Sequence, residues 1–409
     1  MSVESLVVVG ASLAGLRAVE TARKDGFTGR VTLIGAEKHL PYDRPPLSKA
    51  FLDRGEDELA PPRPFYRDER FFIEDLDVDL LLGSPATALD PAAKTVYIGN
   101  RGVAYDAVVL ATGSGARRLP GTELLSGVHA LRTLDDAEAL RDALADGGPV
   151  VVVGGGFIGS EIASSARKRG FDVTIVEATP APLARAIGAD MGAAIASLHY
   201  RNGTTLLCGT GVEAIEGGGH VERVVLTDGR TLPAAIVVAG IGSVPAVEWL
   251  DGSGLTLDNG IVCDETLWTG VEGVYAAGDV ARWPNPTFGS LQRMENWTAA
   301  AEQGARAVRN ALDPARAQPY ATVPYYWSDW YGDRIQFVGV PDADEVAWVE
   351  GAVDDDGRWV VLYRAGERLV GALTVRAPSE IMKYRGLIQR GASWVDALEF
   401  ATSRHRARA

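Results

Sequence analysis

Two glycine-rich segments, each directly after a run of valines, are the parts of this sequence best suited to chemistry. One reads VVVGGGFIGSE and places Gly154, Gly156 and Gly159 in the spacing GxGxxG. The first glycine of this pattern permits a tight turn, the second admits a pyrophosphate to the backbone, and the third lets a helix pack closely on a strand. A helix N-terminus after the loop then faces the phosphates. The pattern predicts a dinucleotide site made of Gly154, Gly155, Gly156, Phe157, Ile158 and Gly159.

A carboxylate follows this loop after about 20 residues, the spacing expected for a contact with ribose. Glu177 ends the next predicted strand, where it could accept hydrogen bonds from a ribose diol and repel a 2′-phosphate. We therefore predict NADH in preference to NADPH at this site. The alternative is that Glu177 is only a solvated acid at the end of a strand.

The other glycine-rich segment, VVVGASLAGL, is a degenerate copy in which Ser12 stands between Gly10 and Gly15. A serine is small enough to lie beside a pyrophosphate, and Glu37, at the predicted end of the second strand, would hold a ribose. Two such segments predict two dinucleotides. Because a hydride donor needs an acceptor, we interpret the pair as a nicotinamide coenzyme and FAD. The alternative is two copies of one fold, of which only one binds.

The elements that must position these loops follow from the periodicity. Apolar runs before each loop, helix-like sequence after it and a second β-rich run predict two βαβ units. Further buried strands are predicted at 107–110, 235–239 and 273–277, each running into a glycine-containing turn. The fold class predicted is α/β, with two Rossmann-like dinucleotide-binding domains and a C-terminal α+β domain. The predicted limits are 1–114 with 243–315 for the FAD domain, 115–242 for the NAD domain and 316–409 for the C-terminal domain.

Composition excludes several classes of function. The chain has 409 residues and a formal net charge of −14, which argues against nonspecific binding of nucleic acid. No apolar run approaches the roughly 20 residues of a membrane helix. The N-terminus shows neither a basic leader nor a cleavage site, so the cytoplasm is the expected location. Only two cysteines occur, Cys208 and Cys263, and their number and separation predict neither a metal site nor a redox dithiol.

A series of short segments extends these patterns along nearly the whole chain. In order they are GASLAG, YDRPPLSK from Tyr42 to Lys49, ATG at 111–113, GGGFIGSE, YAAGDV ending at Val280, ENW at 295–297, and YYWSDWYG from Tyr325. The set resembles the FAD-dependent, NADH-linked ferredoxin reductases that serve bacterial oxygenases. That family is close in fold to the glutathione reductase-like flavoproteins and to the apoptosis-inducing factor. One departure is Trp330, where many relatives carry glutamine.

The resemblance implies roles for individual residues. It implies an ion pair of Lys49 with Glu161 that tunes the flavin, a ribityl contact from Asp279, and a cover over the flavin ring from Trp327 and Trp330. The implied FAD residues are Gly10, Ser12, Ala14, Gly15, Glu37, Arg44, Lys49, Ala111, Thr112, Gly113, Arg118, Asp279, Val280, Glu295, Trp297 and Trp327. The implied NAD residues are those of the GGGFIG loop with Glu177, Gly240, Ile241 and Gly242.

The reaction implied is hydride transfer from NADH to FAD, followed by single-electron transfers to an iron-sulfur ferredoxin. The ferredoxin would supply a haem monooxygenase or a Rieske-type oxygenase, and the reductase would be a monomer or a homodimer. Arg293 and the cluster Arg63, Arg67 and Arg70 would form a basic docking patch, although an ordinary solvated face explains the cluster equally well. No side-chain acid or base and no metal are required.

Three other functions remain open at this point. A disulfide reductase or NADH peroxidase of the same fold needs a redox cysteine near the flavin, and none stands beside Ser48. A redox-sensing interaction protein like the apoptosis-inducing factor would reduce ferredoxin slowly and keep a long-lived NAD complex. A reductase for rubredoxin or for a nitrite-reducing partner would share the same sequence features.

Overall fold

A computed structural model describes residues 3–53, 64–353 and 357–406. In chain order the helices are α1 Leu13–Lys24, α2 Leu134–Asp146, α3 Phe157–Lys168, α4 Ala184–Ile187, α5 Ala189–Ile195, α6 Ser197–Arg201, α7 Trp297–Leu312, α8 Pro378–Gln389 and α9 Trp394–Arg406. Short 3-10 turns lie at Pro45–Ser48, Glu248–Leu250, Gly278–Val280 and Pro314–Arg316, and a π-helical turn lies at Phe71–Asp75.

The strands follow the same chain order. They are β1 Ser5–Val9, β2 Arg30–Ile34, β3 Val78–Leu81, β4 Ala88–Asp90, β5 Thr95–Ile98, β6 Arg101–Ala104, β7 Ala107–Leu110, β8 Ser114–Ala116, β9 Val128–Ala130, β10 Val150–Val153, β11 Val173–Glu177, β12 Thr205–Cys208, β13 Val212–Glu216, β14 Arg223–Leu226, β15 Thr231–Pro233, β16 Ile236–Ala239, β17 Ser243–Pro245, β18 Ile261–Val262, β19 Val274–Ala276, β20 Ala281–Asn285, β21 Ser290–Arg293, β22 Tyr325–Trp330, β23 Asp333–Gly339, β24 Glu345–Glu350, β25 Trp359–Ala365 and β26 Arg368–Val375.

The chain forms two compact units. The first contains Met1–Asp43, Arg63–Gly115 and Val244–Pro324, and the second contains Arg44–Pro62, Ala116–Ser243 and Tyr325–Ala409. This grouping follows spatial proximity, and the division into three domains with the limits given above stays a prediction.

The first unit is built on a five-stranded parallel sheet in the order β19-β7-β1-β2-β3. The strands are short and apolar, and β1 and β7 are buried, as expected where helices cover a parallel sheet. α1 and α7 pack together very closely, since a Cβ at Gly304 would lie 2.1 Å from the Ala14 carbonyl oxygen. Two small three-stranded sheets, β4-β5-β6 and β18-β20-β21, complete this unit.

The second unit repeats the design with the parallel sheet β12-β11-β10-β16-β9. β10 is a run of four buried valines, the pattern expected for a central strand covered on both faces. The unit also contains the antiparallel sheet β13-β14-β15 and a five-stranded antiparallel sheet, β22-β23-β26-β25-β24, against which α8 packs. The predicted fold class is therefore confirmed: two Rossmann-like parallel sheets and a C-terminal α+β region.

One predicted strand end differs in the structure. The prediction that Glu37 closes β2 is wrong, because that strand ends at Ile34 and Glu37 lies in the following loop. Across the described ranges, no helix has both the length and the apolar character needed to cross a bilayer.

Candidate functional site

The two units divide the predicted site residues between them. The first unit holds Gly10, Ser12, Ala14, Gly15, Glu37, Ala111, Thr112, Gly113, Asp279, Val280, Glu295 and Trp297. The second holds Arg44, Lys49, Arg118, Glu161, Trp327, the loop Gly154–Gly159, Glu177, Gly240, Ile241 and Gly242. Each sheet thus presents one glycine loop at the carboxyl end of its central strand, the place where open α/β sheets bind ligands.

In the first unit the loop after β1 requires glycine at the two outer positions of its motif, Gly10 and Gly15. Gly10 has φ +122°, and a Cβ there would lie 2.0 Å from the carbonyl oxygen of Ala111 at the end of β7. A Cβ at Gly15 would lie 1.9 Å from the carbonyl oxygen of Gly10. Neither position can carry a side chain without moving backbone. Ser12, at the middle position, is the N-cap of α1, and its side chain makes no capping hydrogen bond to the helix.

The loop of the second unit has the same construction. Gly154 has φ +104°, and an added Cβ would lie 2.3 Å from the Gly240 carbonyl oxygen. A Cβ at Gly159 would lie 2.1 Å from the Gly154 carbonyl oxygen, whereas at Gly156 the nearest atom would be 4.0 Å away. The middle position of the motif therefore has space in front of it. This explains how a serine can occupy the corresponding position of the first loop.

The helices that follow the two loops start differently from α2 and α7. Thr133 and Asp136 form a capping box at α2, and the Asn296 side chain accepts from the Ala299 N–H at 2.7 Å at α7. At α1 and α3 no side chain caps the first turn. The first N–H groups of a helix have no intrahelical acceptor, so these two ends suit an anionic ligand. Both loops fit the pyrophosphate of a dinucleotide.

Glu177 lies at the end of β11, as predicted, and its carboxylate is held beside the second loop. One oxygen accepts from the Gly155 N–H at 2.7 Å, and the other accepts from the Thr179 N–H at 2.8 Å. The carboxylate is half-buried and oriented before any ligand arrives. Sequence reasoning missed Thr179, because a threonine two residues after the acid has no motif signal of its own.

In the first unit a group of buried polar side chains surrounds Asp279. Ser114 Oγ donates to the Asp279 carboxylate at 3.1 Å, and the Gly278 N–H donates to Gln303 Oε1 at 2.8 Å. Two buried amide donors, Asn296 Nδ2 and Gln303 Nε2, have no partner among the described residues. Buried donors without an acceptor are rare in proteins, so this region fits a polar ligand. Only Asp279 was predicted; Asn296 could have been found as the N-cap within ENW.

Trp297 is fixed by a second cluster of the first unit. Its Nε1 donates to Asp43 Oδ1 at 2.9 Å and lies 3.0 Å from the Tyr66 hydroxyl, which itself donates to Asp43 at 2.6 Å. Burial and the neighbouring Asp43 raise the pKa of Tyr66, so its hydroxyl keeps its proton and remains a donor. Trp297 therefore has one defined orientation. Asp43 was part of the YDRPPLSK segment, but Tyr66 carried no sequence signal.

Lys49 and Glu161 form the ion pair that the resemblance implied. Lys49 Nζ lies 2.6 Å from Glu161 Oε2, and Glu161 is 2% exposed. The carboxylate also accepts from the hydroxyls of Ser48 and Ser328, each at 2.5 Å. A buried carboxylate needs several such donors. The two serines were not among the predicted residues.

The remaining predicted residues of the second unit have mixed outcomes. Trp327 is half-buried and stacks on Tyr325, with ring centroids 5.4 Å apart. Trp330 is fully buried in the hydrophobic core, so the expectation that it covers a flavin ring is wrong. Arg44 donates to the Arg132 carbonyl oxygen at 2.5 Å, and Arg118 is exposed.

The arginines proposed as a docking patch mostly have acidic neighbours. Arg67 lies 3.7 Å from Glu20, Arg70 lies 2.8 Å from Glu74, and Arg293 lies 2.6 Å from Glu295. Arg63 lies outside the described residues. These ion pairs reduce the net positive charge that the three described arginines would offer to an acidic partner. The docking role stays a prediction.

Neither cysteine is suited to thiol chemistry. Cys263 is buried, which raises its pKa. Burial and the charge of Glu177 both raise the pKa of Cys208. Thiol–disulfide exchange requires a thiolate, and both environments disfavour that form.

Comparisons with known proteins agree with this geometry. Residues 4–304 match the family model "Pyridine nucleotide-disulphide oxidoreductase", and residues 325–404 match "Reductase C-terminal". Rhodocoxin reductase of Rhodococcus erythropolis is 36% identical, with 98% of this chain and 95% of the relative covered. The anthranilate 1,2-dioxygenase system ferredoxin–NAD(+) reductase component of Burkholderia cepacia is 37% identical, with 96% of each covered.

Among solved structures, the covalent complex of putidaredoxin reductase with putidaredoxin has a TM-score of 0.88 at 30% identity and covers 99% of both chains. The resemblance to NADH-linked ferredoxin reductases is confirmed. FAD and NAD(H) are the cofactors of these enzymes, and the two glycine loops fit two dinucleotides. The chain is an oxidoreductase that belongs to the pyridine nucleotide-disulphide oxidoreductase family.

Proposed function

We propose that this chain is the reductase of an oxygenase system, taking two electrons from NADH and passing them singly to an iron-sulfur ferredoxin. The observation that carries the proposal is the pair of dinucleotide loops in a chain whose two cysteines are both held as thiols. With no dithiol to receive the electrons, they must leave from the flavin to an external acceptor. The family's disulfide chemistry is thereby set aside for this member.

We assign FAD to the first loop. The Gly10 and Gly15 backbone and the uncapped start of α1 would hold the pyrophosphate, and Asp279 would accept from the ribityl chain. The amides of Asn296 and Gln303 offer further donors. Bound there, FAD converts a transferred hydride into two single electrons.

We assign NADH to the second loop. The backbone between Gly154 and Gly159 would bind the pyrophosphate, and Glu177 would accept from the adenosine ribose. No proton needs to be moved by a side chain in a direct hydride transfer. The tasks of these residues are to orient the coenzyme and to discriminate against a 2′-phosphate.

Glu177→Ala should weaken NADH binding and remove the preference over NADPH. The variant loses a charged acceptor, and hydrogen bonds to charged groups contribute about 1.5–3 kcal/mol, so we expect the NADH affinity to fall on the order of tenfold or more. The measurement is the concentration dependence of anaerobic flavin reduction by each coenzyme. Glu213→Ala, an exposed acid on β13 of the same unit, is the matched control and should change neither value. Retained discrimination in Glu177→Ala would refute the role of Glu177.

We propose the electron acceptor from the partners that the names of the relatives give. Their names include a dioxygenase system ferredoxin, and one solved relative is joined to putidaredoxin. We therefore propose a ferredoxin as the direct partner, with a haem monooxygenase or a Rieske-type oxygenase behind it. We further propose that the reductase works in the cytoplasm as a monomer or a homodimer.

One experiment tests the whole proposal. The purified protein is titrated anaerobically with NADH, and reduction of cytochrome c is then followed with and without added ferredoxins. We expect a yellow protein that NADH bleaches and a rate that depends on a ferredoxin. A protein that binds no FAD would end the proposal. Slow ferredoxin reduction with a persistent NAD charge-transfer complex would favour a redox-sensing role, and faster turnover with rubredoxin would change the acceptor.

A further inference from the structure

The Glu177 carboxylate at the end of β11 is held by three hydrogen-bond donors of the second unit. Oε2 accepts from the Gly155 N–H at 2.7 Å, and Oε1 accepts from both the N–H and the hydroxyl of Thr179, at 2.8 and 2.7 Å. A carboxylate oxygen accepts about two hydrogen bonds. Thr179 therefore fills both acceptor sites of Oε1, whereas Oε2, which has one donor among the described residues, keeps an acceptor site open beside the glycine loop.

The Thr179 hydroxyl lies between two acceptors. Its oxygen is 2.7 Å from Glu177 Oε1 and 2.8 Å from the Ala181 carbonyl oxygen. The hydroxyl has a single hydrogen, and a hydrogen bond to a charged acceptor is stronger than one between neutral groups. The hydrogen therefore points to Glu177, and the side chain of Thr179 acts on the carboxylate.

The main chain around Thr179 is fixed independently of its hydroxyl. The Thr179 carbonyl oxygen accepts from the Gly209 N–H at 2.9 Å, just after the end of β12. Further along, the N–H of the buried Leu183 donates to the Gly155 carbonyl oxygen at 3.1 Å. The segment 179–183 is thereby tied to the same glycine that holds Glu177 Oε2. A substitution that removes only the hydroxyl should leave this segment in place.

The orientation of the carboxylate decides which ribose it can accept. A glutamate held in one orientation before binding saves the entropic cost of ordering its side chain when the ligand arrives. Its charge then accepts from a ribose hydroxyl and repels a phosphate on the 2′ oxygen. Without the Thr179 hydroxyl, Glu177 keeps only its two backbone donors, and Oε1 gains an open acceptor site. The carboxylate can then turn away from the ribose.

We propose that Thr179 is a positioning residue of the coenzyme site, whose hydroxyl orients Glu177 so that Oε2 accepts from the adenosine ribose and the charge faces a 2′-phosphate. The inference rests on the proposed function, in which NADH binds to the second loop. It assigns the discrimination between NADH and NADPH to two residues, Glu177 as the contact and Thr179 as its support. Both belong to the second unit, as does the glycine loop.

The test uses ADP-ribose and its 2′-phosphate as probes, which are the parts of NADH and NADPH without nicotinamide, so that no flavin reduction takes part. Their affinities for the full chain are measured by titration calorimetry in the wild type, Thr179→Val and Thr179→Ser. We expect the ADP-ribose affinity to fall about fivefold in Thr179→Val, the effect of one hydrogen bond. The affinity for the 2′-phosphate should not fall, because the repelling charge is no longer held towards it. Thr179→Ser keeps the hydroxyl and should retain the wild-type values.

Two comparisons separate this role from general damage to the site. Because Thr179 acts through Glu177, Thr179→Val should have no further effect in the Glu177→Ala background. Thr231→Val changes an exposed threonine on β15 of the same unit. It is the matched control and should leave both affinities unchanged.

Equal weakening of both probes in Thr179→Val would overturn the inference, since a disturbed loop weakens the pyrophosphate contacts that the probes share. Unchanged discrimination in Thr179→Val, or additive effects in the double variant with Glu177→Ala, would also overturn it. Wild-type protein that binds neither probe would instead overturn the assignment of NADH to the second loop. The failure of the inference and the failure of the proposed function are therefore distinguishable.

Discussion

Gly154→Ala is expected to weaken the binding of NADH strongly while FAD remains bound. The position has φ +104°, which costs an alanine about 1–2 kcal/mol, and the new Cβ would lie 2.3 Å from the Gly240 carbonyl oxygen. That oxygen belongs to backbone, so the loop must shift and carry its N–H groups away from the pyrophosphate. We expect the NADH affinity to fall on the order of 100-fold, about 2.7 kcal/mol.

The measurement is stopped-flow flavin reduction over a range of NADH concentrations, with FAD content taken from the visible absorbance. Gly170→Ala is the matched control, which separates the effect of backbone strain from that of steric conflict. Gly170 lies just beyond α3 with φ +88°, and an added Cβ would meet nothing within 4 Å. It should keep wild-type affinity for NADH. Unchanged NADH affinity in Gly154→Ala would remove the second loop from the coenzyme site, and loss of FAD would exchange the assignments of the two loops.

The parts of the site that could be predicted are those whose sequence requirements lie within one short segment of the chain. Gly154, Gly156 and Gly159 were found because a strand, a turn without side chains and a helix follow one another directly. Glu177 was found by its distance along the chain from that turn. The structure shows why the two outer positions must be glycine, because backbone carbonyl oxygens approach both of them. Predicting these positions required no knowledge of the tertiary structure.

The parts that could not be predicted depend on partners far apart in sequence. Ser328 lies 167 residues from Glu161, and nothing in its neighbourhood marks it as a ligand of a buried carboxylate. Trp330 was expected at a flavin because it stands in an aromatic segment, yet burial depends on packing and puts it in the core. Glu37 was placed at a strand end by analogy with Glu177, but β2 stops earlier because its pairing with β1 ends at Ile34.

The first loop offers the reciprocal prediction: Gly10→Ala should yield a protein that loses FAD but still binds NADH. Gly10 has φ +122°, and the Cβ would lie 2.0 Å from the Ala111 carbonyl oxygen, so the turn between β1 and α1 must open. We expect the FAD dissociation constant to rise on the order of 100-fold, measured by flavin fluorescence during dialysis. Binding of NADH to the colourless protein would be followed by quenching of tryptophan fluorescence.

Gly26→Ala provides the matched control, since Gly26 follows α1 with φ +92° and has nothing within 4 Å of an added Cβ. It carries a similar backbone strain and should keep its FAD. A yellow Gly10→Ala protein with normal FAD affinity would show that the serine-bearing loop binds no flavin. Because each loop belongs to a different sheet and a different compact unit, loss of one cofactor need not entail loss of the other. Opposite losses in Gly10→Ala and Gly154→Ala would therefore assign both dinucleotides, which neither variant could do alone.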